Sequence, residues 1–294
     1  MKFLPKFEYL RPESVKEACS LLERHGREAC LLAGGTDLLI RLKREEVFPK
    51  YIVDIGRIPG LSDIREEEGQ ILIGATATHS RVAENGLIRR EAPLLSEAAA
   101  SVGSVQIRNS GTIGGNIGNA SPAADTIPPL VALNGVALVH NPSGTREVPL
   151  VSLFSGPYRT ALAPHELLSG VRFAKLPPRS GTSFLKLGRR MALSVSRITV
   201  AAVLVLDREG VIREARICPG AVMPMPTRMH PAEDTLIGFR PDAGIFPKAG
   251  QRAAEEMLRV TGVRSSTSYK KPVLAGLIEQ ALSTAAERCR RHED

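Results

Sequence analysis

The 294-residue sequence is poor in aromatic residues and has no cluster of cysteines. It contains no tryptophan, and aromatic residues make up 4% of it, so the hydrophobic fraction of 43% predicts cores of Leu, Ile, Val and Ala. Its four cysteines are scattered without a Cys-x-x-Cys pair, which argues against a structural zinc ion or an iron–sulfur cluster in this chain. Free, buried thiols in an intracellular protein fit this pattern better than two disulfides do.

Long apolar runs are also absent from the sequence. No run approaches the ~18–20 apolar residues of a membrane span, and residues 1–6 lack the apolar segment of a signal peptide. These absences favour a cytoplasmic protein with no membrane span. The formal net charge is +8, but basic and acidic residues are mixed and no nucleic-acid-binding motif accompanies them. We therefore expect no nucleic-acid partner, and we attribute the charge to attraction for anionic cofactors and partner chains.

Residues 108–125 are the most informative stretch of the chain. Four glycines fall within eight residues, and Ser, Thr and Asn side chains are interleaved with them. Glycine permits positive φ and close approach of the backbone to a ligand, so successive N–H groups can surround a phosphate or diphosphate. The alternative interpretation is a plain glycine-rich turn between two strands.

A second glycine stretch, at residues 33–37, strengthens the ligand interpretation. It follows the apolar residues 30–32 and precedes the amphipathic residues 38–43. This order predicts a strand, a glycine turn and a helix N-terminus, where backbone donors and the positive end of the helix face an anion. Two such loops predict a ligand with two phosphates held between two substructures.

The remaining pattern predicts an α+β chain with strands at short spacing. A capping-box pattern starts a helix at residue 14, and residues 1–55 are expected to form a compact βαβ-like unit. Residues 175–181 are the best linker in the sequence. The elements predicted beyond it are three antiparallel strands at 182–188, 198–207 and 211–218, and helices at 246–261 and 271–291.

The two glycine stretches resemble the flavin-binding loops of a known family. Residues 31–38 (Leu-Leu-Ala-Gly-Gly-Thr-Asp-Leu) and residues 106–125, which contain Gln-Ile-Arg-Asn-Ser-Gly-Thr-Ile-Gly-Gly-Asn, are similar to those of the FAD-binding (medium) subunit of molybdenum hydroxylases. This is the xanthine dehydrogenase and carbon monoxide dehydrogenase flavoprotein family. The order and separation of the two loops make the match specific. Residues 184–190 and 196–201 look like the opening of the family's C-terminal domain.

The resemblance implies a fold, a cofactor and partners. Residues 1–176 would form a two-part FAD-binding domain of the vanillyl-alcohol-oxidase (PCMH) type, with subdomains at about 1–56 and 57–176. Residues 181–291 would form a small C-terminal domain with a three-stranded antiparallel sheet and helices. FAD would be the cofactor. The partners would be a large molybdopterin-binding subunit and a small [2Fe–2S] subunit, with NAD or another electron acceptor.

The resemblance also implies cofactor contacts, while no catalytic residue or metal ligand is predicted. Phosphate contacts are expected mostly through backbone N–H groups of the two loops. Asp125 is expected to meet a ribose or another hydroxyl, or else to be a helix N-terminal acid. Lys186 is expected near the flavin, or else to be a solvated strand lysine. His79, Val102 and Ser104 are weaker candidates. The predicted cofactor-binding residues are Leu31, Leu32, Ala33, Gly34, Gly35, Thr36, Asp37, Leu38, Gly111, Thr112, Ile113, Gly114, Gly115, Asn116, Asp125, Leu168 and Lys186.

Three functions stay open at this point. The favoured one is an FAD-binding electron-transfer subunit of a multi-subunit molybdenum hydroxylase. The second is a self-contained FAD-dependent oxidase on the same fold, which would need its own substrate cavity and base. The third is a non-catalytic nucleotide-binding module, which would explain the loops and the charge but not a match along three regions. Neighbouring genes for a molybdopterin subunit and a cysteine-rich subunit would distinguish them.

Overall fold

The computed structural model describes residues 4–190, 193–242 and 244–291, without the side chain of Arg291. Residues 1–3 lie outside the described ranges. They begin the predicted FAD-binding domain and are part of residues 1–6, which were expected to lack the apolar segment of a signal peptide. The described chain is a mixed helix and sheet structure with sheets of three, five and three strands and a two-stranded ribbon. Within these residues, no helix combines the length and the apolar character that crossing a membrane requires.

The first sheet is parallel and positions the first glycine loop. Its elements are β1 (Glu8–Leu10), α1 (Val15–His25), β2 (Ala29–Leu32), α2 (Leu38–Lys43) and β3 (Tyr51–Asp54). The strand order is β1-β3-β2, and both pairs are parallel. The helix begins where predicted because Ser14 Oγ accepts a hydrogen bond from the Glu17 N–H at 3.1 Å and caps it. The predicted βαβ-like unit is confirmed.

Residues 64–174 form an antiparallel sheet that is covered by short helices. Its elements are β4 (Ile64–Glu67), β5 (Gln70–Gly74), α3 (His79–Glu84), α4 (Gly86–Glu91), α5 (Pro93–Ala100), α6 (Val105–Ser110), α7 (Ile113–Asn119), α8 (Ile127–Ala132), β6 (Val136–Asn141), β7 (Gly144–Pro149), β8 (Phe154–Gly156), β9 (Arg159–Thr160) and β10 (Leu167–Ala174). The strand order is β4-β5-β10-β6-β7. Leu168 joins the core under the helices, whereas Leu167 packs in the core of α1, since successive strand side chains point to opposite faces.

The second glycine stretch is helical, and the loop predicted there is wrong. Residues 105–110 form α6 and residues 113–119 form α7, and none of the four glycines has positive φ. Thr112 caps α7, since its Oγ1 accepts a hydrogen bond from the Gly115 N–H at 3.0 Å. A Cβ on Gly114 would lie 2.5 Å from the Ala75 Cβ. Close approach of α7 to the end of β5, and not backbone conformation, therefore requires glycine at this position.

The third sheet lies between two cores. Its elements and the helices that follow are β11 (Ser180–Gly188), β12 (Ser196–Leu206), β13 (Ile212–Gly220), α9 (His230–Glu233), α10 (Phe246–Thr261) and α11 (Thr267–Arg291). The central strand β12 pairs antiparallel with both neighbours. Ala201 and Val203 pack in the core of α5 and α8, whereas Ala202 and Leu204 pack in the core of α10 and α11. The sheet thus joins the C-terminal helices to the rest of the chain.

Candidate cofactor-binding site

An open cavity of about 370 Å³ lies where the first glycine loop faces α6 and α7. The structure brings together segments that are far apart in sequence, and most of the predicted cofactor-binding residues lie on the cavity wall. Their contact with FAD stays a prediction. The predicted residues on the wall are Leu31, Ala33, Gly34, Gly35, Thr36, Asp37, Leu38, Gly111, Thr112, Gly114, Gly115, Asn116 and Leu168.

The two glycine segments meet backbone to backbone in the wall of the cavity. A Cβ on Gly34 would lie 1.9 Å from the Ser110 carbonyl oxygen and 2.9 Å from the Gly111 Cα, so only glycine allows this approach. The next residue, Gly35, has a φ of 70°, a left-handed conformation that glycine adopts without the strain of a side chain. Close approach of the two segments thus requires glycine at position 34, whereas backbone conformation favours glycine at position 35.

The first loop presents unused backbone donors to the cavity. Within the described part of the chain, nothing accepts a hydrogen bond from the backbone N–H groups of Gly34, Gly35 or Thr36. These residues directly precede α2, where the helix dipole adds partial positive charge. The arrangement suits an anionic group such as a diphosphate.

The second segment offers fewer backbone donors than predicted. The N–H groups of Ile113 and Gly114 donate to the carbonyl oxygens of Ala77 and Ala75 at 2.9 and 2.8 Å, and that of Gly115 donates to the Thr112 cap. The expectation of a row of free N–H groups is therefore wrong, because the groups at 113–115 start a helix that docks on the end of β5. Contact of this segment with a phosphate stays a prediction. What this segment presents to the cavity is a glycine surface and polar side chains.

Asn116 supplies one such side chain. Its Oδ1 accepts a hydrogen bond from Thr126 Oγ1 at 2.8 Å, which fixes the amide and leaves its NH₂ group as a donor. Asn116 lines the cavity together with Asn119, one turn further along α7. This wall can therefore donate hydrogen bonds to a ligand through side chains, although its first backbone groups are already paired.

His79 is the buried titratable group of the cavity. Only 2% of its surface is exposed, and its Nδ1 has no hydrogen-bond partner among the described residues. Burial, with a smaller contribution from the nearby positive charge of Arg108, lowers its pKa from 6.5 to about 4. The imidazole is therefore neutral at pH 7. Its backbone N–H donates to the Gly111 carbonyl oxygen at 3.0 Å, which ties α3 to the second segment.

The lowered pKa of His79 predicts that the protein loses stability in acid. The folded-state pKa lies below the unfolded-state value, so the unfolded chain binds the proton first as the pH falls through 6.5, and folding weakens until about pH 4. We expect this group to lower the free energy of unfolding by about 3 kcal/mol between pH 7.5 and pH 4. Urea unfolding of the wild type and His79→Gln at several pH values would measure it, and the variant should lack that part of the pH dependence. Parallel pH profiles of the two proteins would contradict the assignment.

Four predicted cofactor-binding residues do not line the cavity. Leu32 is the last residue of β2, and Ile113 is buried in the main core with 1% exposure. Asp125 and Lys186 pair with each other and are not among the residues that line the cavity. Their direct contact with FAD stays a prediction that the cavity geometry does not support.

Asp125 and Lys186 form a buried ion pair between the segment that precedes α8 and β11. Lys186 Nζ lies 2.6 Å from Asp125 Oδ2 and donates to the Ser101 carbonyl oxygen at 2.8 Å, while Ser196 donates to Asp125 Oδ1. Burial raises the pKa of Asp125, and Lys186 and Ser196 oppose that rise. The alternative of a solvated lysine is wrong, since 15% of the Lys186 side chain is exposed. Asp125 precedes α8 and lies outside its first turn.

Several cavity residues were not predicted as cofactor contacts. Arg41 follows Asp37 by four residues, so helical spacing alone could have placed both on one face of α2. Others come from separate segments whose proximity no local pattern indicates. The weaker candidates His79 and Val102 also line the wall, whereas Ser104 caps α6. The unpredicted cavity residues are Cys30, Arg41, Ile55, Ala75, Ile107, Gly118, Asn119 and Leu162.

The residues of the cavity fit FAD. Glycines at 34 and 35, with their free N–H groups, leave room and donors for a diphosphate. Apolar side chains of Leu31, Leu38 and Leu162 form walls suited to flat aromatic rings. The cavity thus combines the two kinds of surface that a dinucleotide requires.

Two family models match the chain. Residues 5–176 match the FAD binding domain in molybdopterin dehydrogenase, and residues 183–285 match the CO dehydrogenase flavoprotein C-terminal domain. The xanthine dehydrogenase FAD-binding subunit of Escherichia coli O157:H7 is 33% identical over 279 residues, which cover 94% of this chain and 95% of that subunit. The carbon monoxide dehydrogenase medium chain of Hydrogenophaga pseudoflava is 31% identical over 290 residues, which cover 97% of this chain and 99% of that chain.

The fold of this chain is also similar to that of a chain in a solved structure. It is carbon monoxide dehydrogenase from Hydrogenophaga pseudoflava that lacks the Mo-pyranopterin moiety of the molybdenum cofactor. One of its chains matches with a TM-score of 0.90 and 32% sequence identity, over 98% of this chain and 99% of that chain. The similarity therefore extends through both halves of the chain and is not confined to the cavity.

Proposed function

The chain belongs to the family of FAD-binding subunits of molybdenum hydroxylases of the xanthine dehydrogenase and carbon monoxide dehydrogenase type, and we propose that it is the electron-transfer subunit of such a complex. In this proposal a small partner subunit carries [2Fe–2S] clusters, a large partner carries molybdopterin, and NAD or another acceptor receives the electrons. The observation that carries the proposal is the cavity formed where Gly34 meets Ser110, with free backbone donors on one side and apolar walls beside them.

The role of this chain's own residues follows from the geometry of the cavity. The N–H groups of Gly34, Gly35 and Thr36 would hold the diphosphate of FAD, and the side-chain amide of Asn116 would donate to it from the opposite wall. The Asp125–Lys186 pair would hold the C-terminal sheet against the FAD-binding region and so fix one side of the site. When bound, FAD would supply a flavin ring able to exchange single electrons or electron pairs, while the protein orients it.

The relatives favour a subunit over a self-contained oxidase. This chain spans 95–99% of the length of the two curated relatives named above, and both are named as one chain of a dehydrogenase. Substrate oxidation would accordingly take place on a partner chain. The alternative of a non-catalytic binding module does not fit, since the relatives belong to oxidoreductases.

The finer assignments are part of the same proposal. We assign residues 1–176 to an FAD-binding domain of the PCMH type, with subdomains at about 1–56 and 57–176, and residues 181–291 to the C-terminal domain. β11, which begins at Ser180, supports a boundary just before it. We also place the chain in the cytoplasm, and the free thiols of Cys19, Cys30 and Cys218 support this location.

The test uses the full-length chain, alone and with its partner subunits. We expect the purified chain to release FAD, not FMN, on heating, because two phosphates match the extended donor surface. Reduced chemically, the FAD-loaded chain should turn over an electron acceptor. Bleaching of the flavin by an organic substrate should require the molybdopterin and [2Fe–2S] subunits. FMN as the released flavin, or direct bleaching of the isolated chain by a purine, aldehyde or alcohol, would contradict the proposal.

A further inference from the structure

Arg41 lines the cavity and belongs to neither glycine loop. It lies on α2, and its backbone N–H donates to the Asp37 carbonyl oxygen at 3.1 Å, one helical turn before it. Both side chains therefore project from the same face of α2 toward the cavity wall. Asp37 and Arg41 bring opposite charges to that wall.

The charge of Arg41 acts on two other residues of the cavity wall. Burial raises the pKa of Asp37, and the nearby guanidinium of Arg41 opposes that rise. The same charge opposes the rise that burial causes in the pKa of the Cys30 thiol, another cavity residue. His79 is neutral at pH 7 because its pKa is about 4. Arg41 is thus the cation among the described residues that line this cavity.

The protein itself makes little use of this cation. Its ion pair is with Glu46, at 4.0 Å from Arg41 Nε, and about half of each side chain is exposed. Such exposed pairs contribute little, because water screens the charges and two long side chains lose freedom. Glu46 is also shared with Arg44, whose guanidinium lies 3.8 Å away. Arg41 can therefore turn to a better anionic partner without loss of a strong contact.

We propose that Arg41 binds the diphosphate of FAD, which rests on the proposed function of the cavity. A guanidinium presents paired N–H donors that match phosphate oxygens, and it remains charged at every physiological pH. The diphosphate brings two negative charges next to Asp37, which repels them, so a cation on the same wall has a large effect on affinity. The backbone donors of Gly34 to Thr36 then fix the position of the diphosphate, and Arg41 balances its charge.

The experiment measures FAD affinity of the flavin-free full chain by quenching of flavin fluorescence. Arg41→Gln should raise the Kd for FAD about 10- to 100-fold, as expected for loss of a charged hydrogen bond. Arg41→Lys should recover part of the affinity, and the dependence of Kd on salt should be weaker in Arg41→Gln than in the wild type. Arg44→Gln is the matched control. It removes an equal charge that pairs with the same Glu46 but lies off the cavity wall.

Three outcomes would overturn the assignment. The first is an Arg41→Gln chain that binds FAD within twofold of the wild type, and the second is an equal loss in Arg44→Gln. The third is recovery of full FAD affinity in the double variant Asp37→Asn/Arg41→Gln. Arg41 would then only neutralise the negative charge of Asp37 and would not bind the diphosphate itself. In each case a wild type that binds FAD keeps the proposed function intact. A wild type that bound no FAD would instead remove the proposed function and this assignment together.

Discussion

Replacing Gly34 by alanine is expected to weaken FAD binding strongly. The new Cβ would lie 1.9 Å from the Ser110 carbonyl oxygen and 2.7 Å from its carbonyl carbon, so one of the two segments has to move. Overpacking of this kind costs about 1–3 kcal/mol, and because the movement separates the donors from the opposite wall, we expect the Kd for FAD to rise about 100-fold. Flavin fluorescence titration of the flavin-free chain would measure the change.

Gly86→Ala provides the control for Gly34→Ala. Gly86 starts α4, and a Cβ there would meet nothing within 4 Å, so the same methyl group enters open space. We expect this variant to bind FAD as the wild type does. Urea unfolding of both variants would show whether Gly34→Ala acts on the fold or on the site. A folded Gly34→Ala chain with wild-type FAD affinity would show that the contact between the two glycine segments does not shape the binding site.

Replacing Lys186 by methionine is expected to destabilise the chain strongly. Asp125 is 7% exposed, and without Lys186 its carboxylate would keep only the hydrogen bond from Ser196. Removal of one partner of a buried ion pair leaves an uncompensated charge and costs about 3–5 kcal/mol. We therefore expect a loss of this size in the free energy of unfolding, measured by urea titration at pH 7.

Two further variants isolate the role of the buried charge. Asp125→Asn/Lys186→Met removes both charges and should recover much of the stability that Lys186→Met loses. Lys50→Met breaks an ion pair with Glu28 in which the two side chains are 68% and 51% exposed, and it should cost far less stability than Lys186→Met, because water screens the exposed charges. Equal losses in the free energy of unfolding for Lys50→Met and Lys186→Met would show that burial does not increase the contribution of the Asp125–Lys186 pair to stability.

Local patterns predicted the first loop of the site well. The cap at Ser14, the strand before Gly34 and the helix after Asp37 all depend on neighbours in sequence, so the order of residue types carried the information. The family resemblance then supplied FAD, which cavity geometry alone would have left as one dinucleotide among several. The βαβ-like unit and the first glycine loop were therefore predictable from the amino-acid sequence.

The second segment was mispredicted for a physical reason. Its glycines indicated a loop with positive φ. Position 114 instead requires glycine because α7 packs closely against Ala75, almost 40 positions earlier in the chain. A glycine selected for close packing and one selected for backbone conformation look the same in a sequence. The partner of Lys186 was hidden in the same way, since Asp125 and Lys186 are 61 positions apart.

The position of β12 between two cores has a consequence for synthesis of the chain. The helices α5 and α8 emerge from the ribosome before β12 does, and until then they lack the apolar face on which they pack. Translation therefore passes through a stage in which the FAD-binding region is complete in sequence but has one side uncovered. Exposed apolar surface of this kind promotes aggregation and binding to chaperones. A premature stop codon in the predicted linker at residues 175–181 would make that stage permanent.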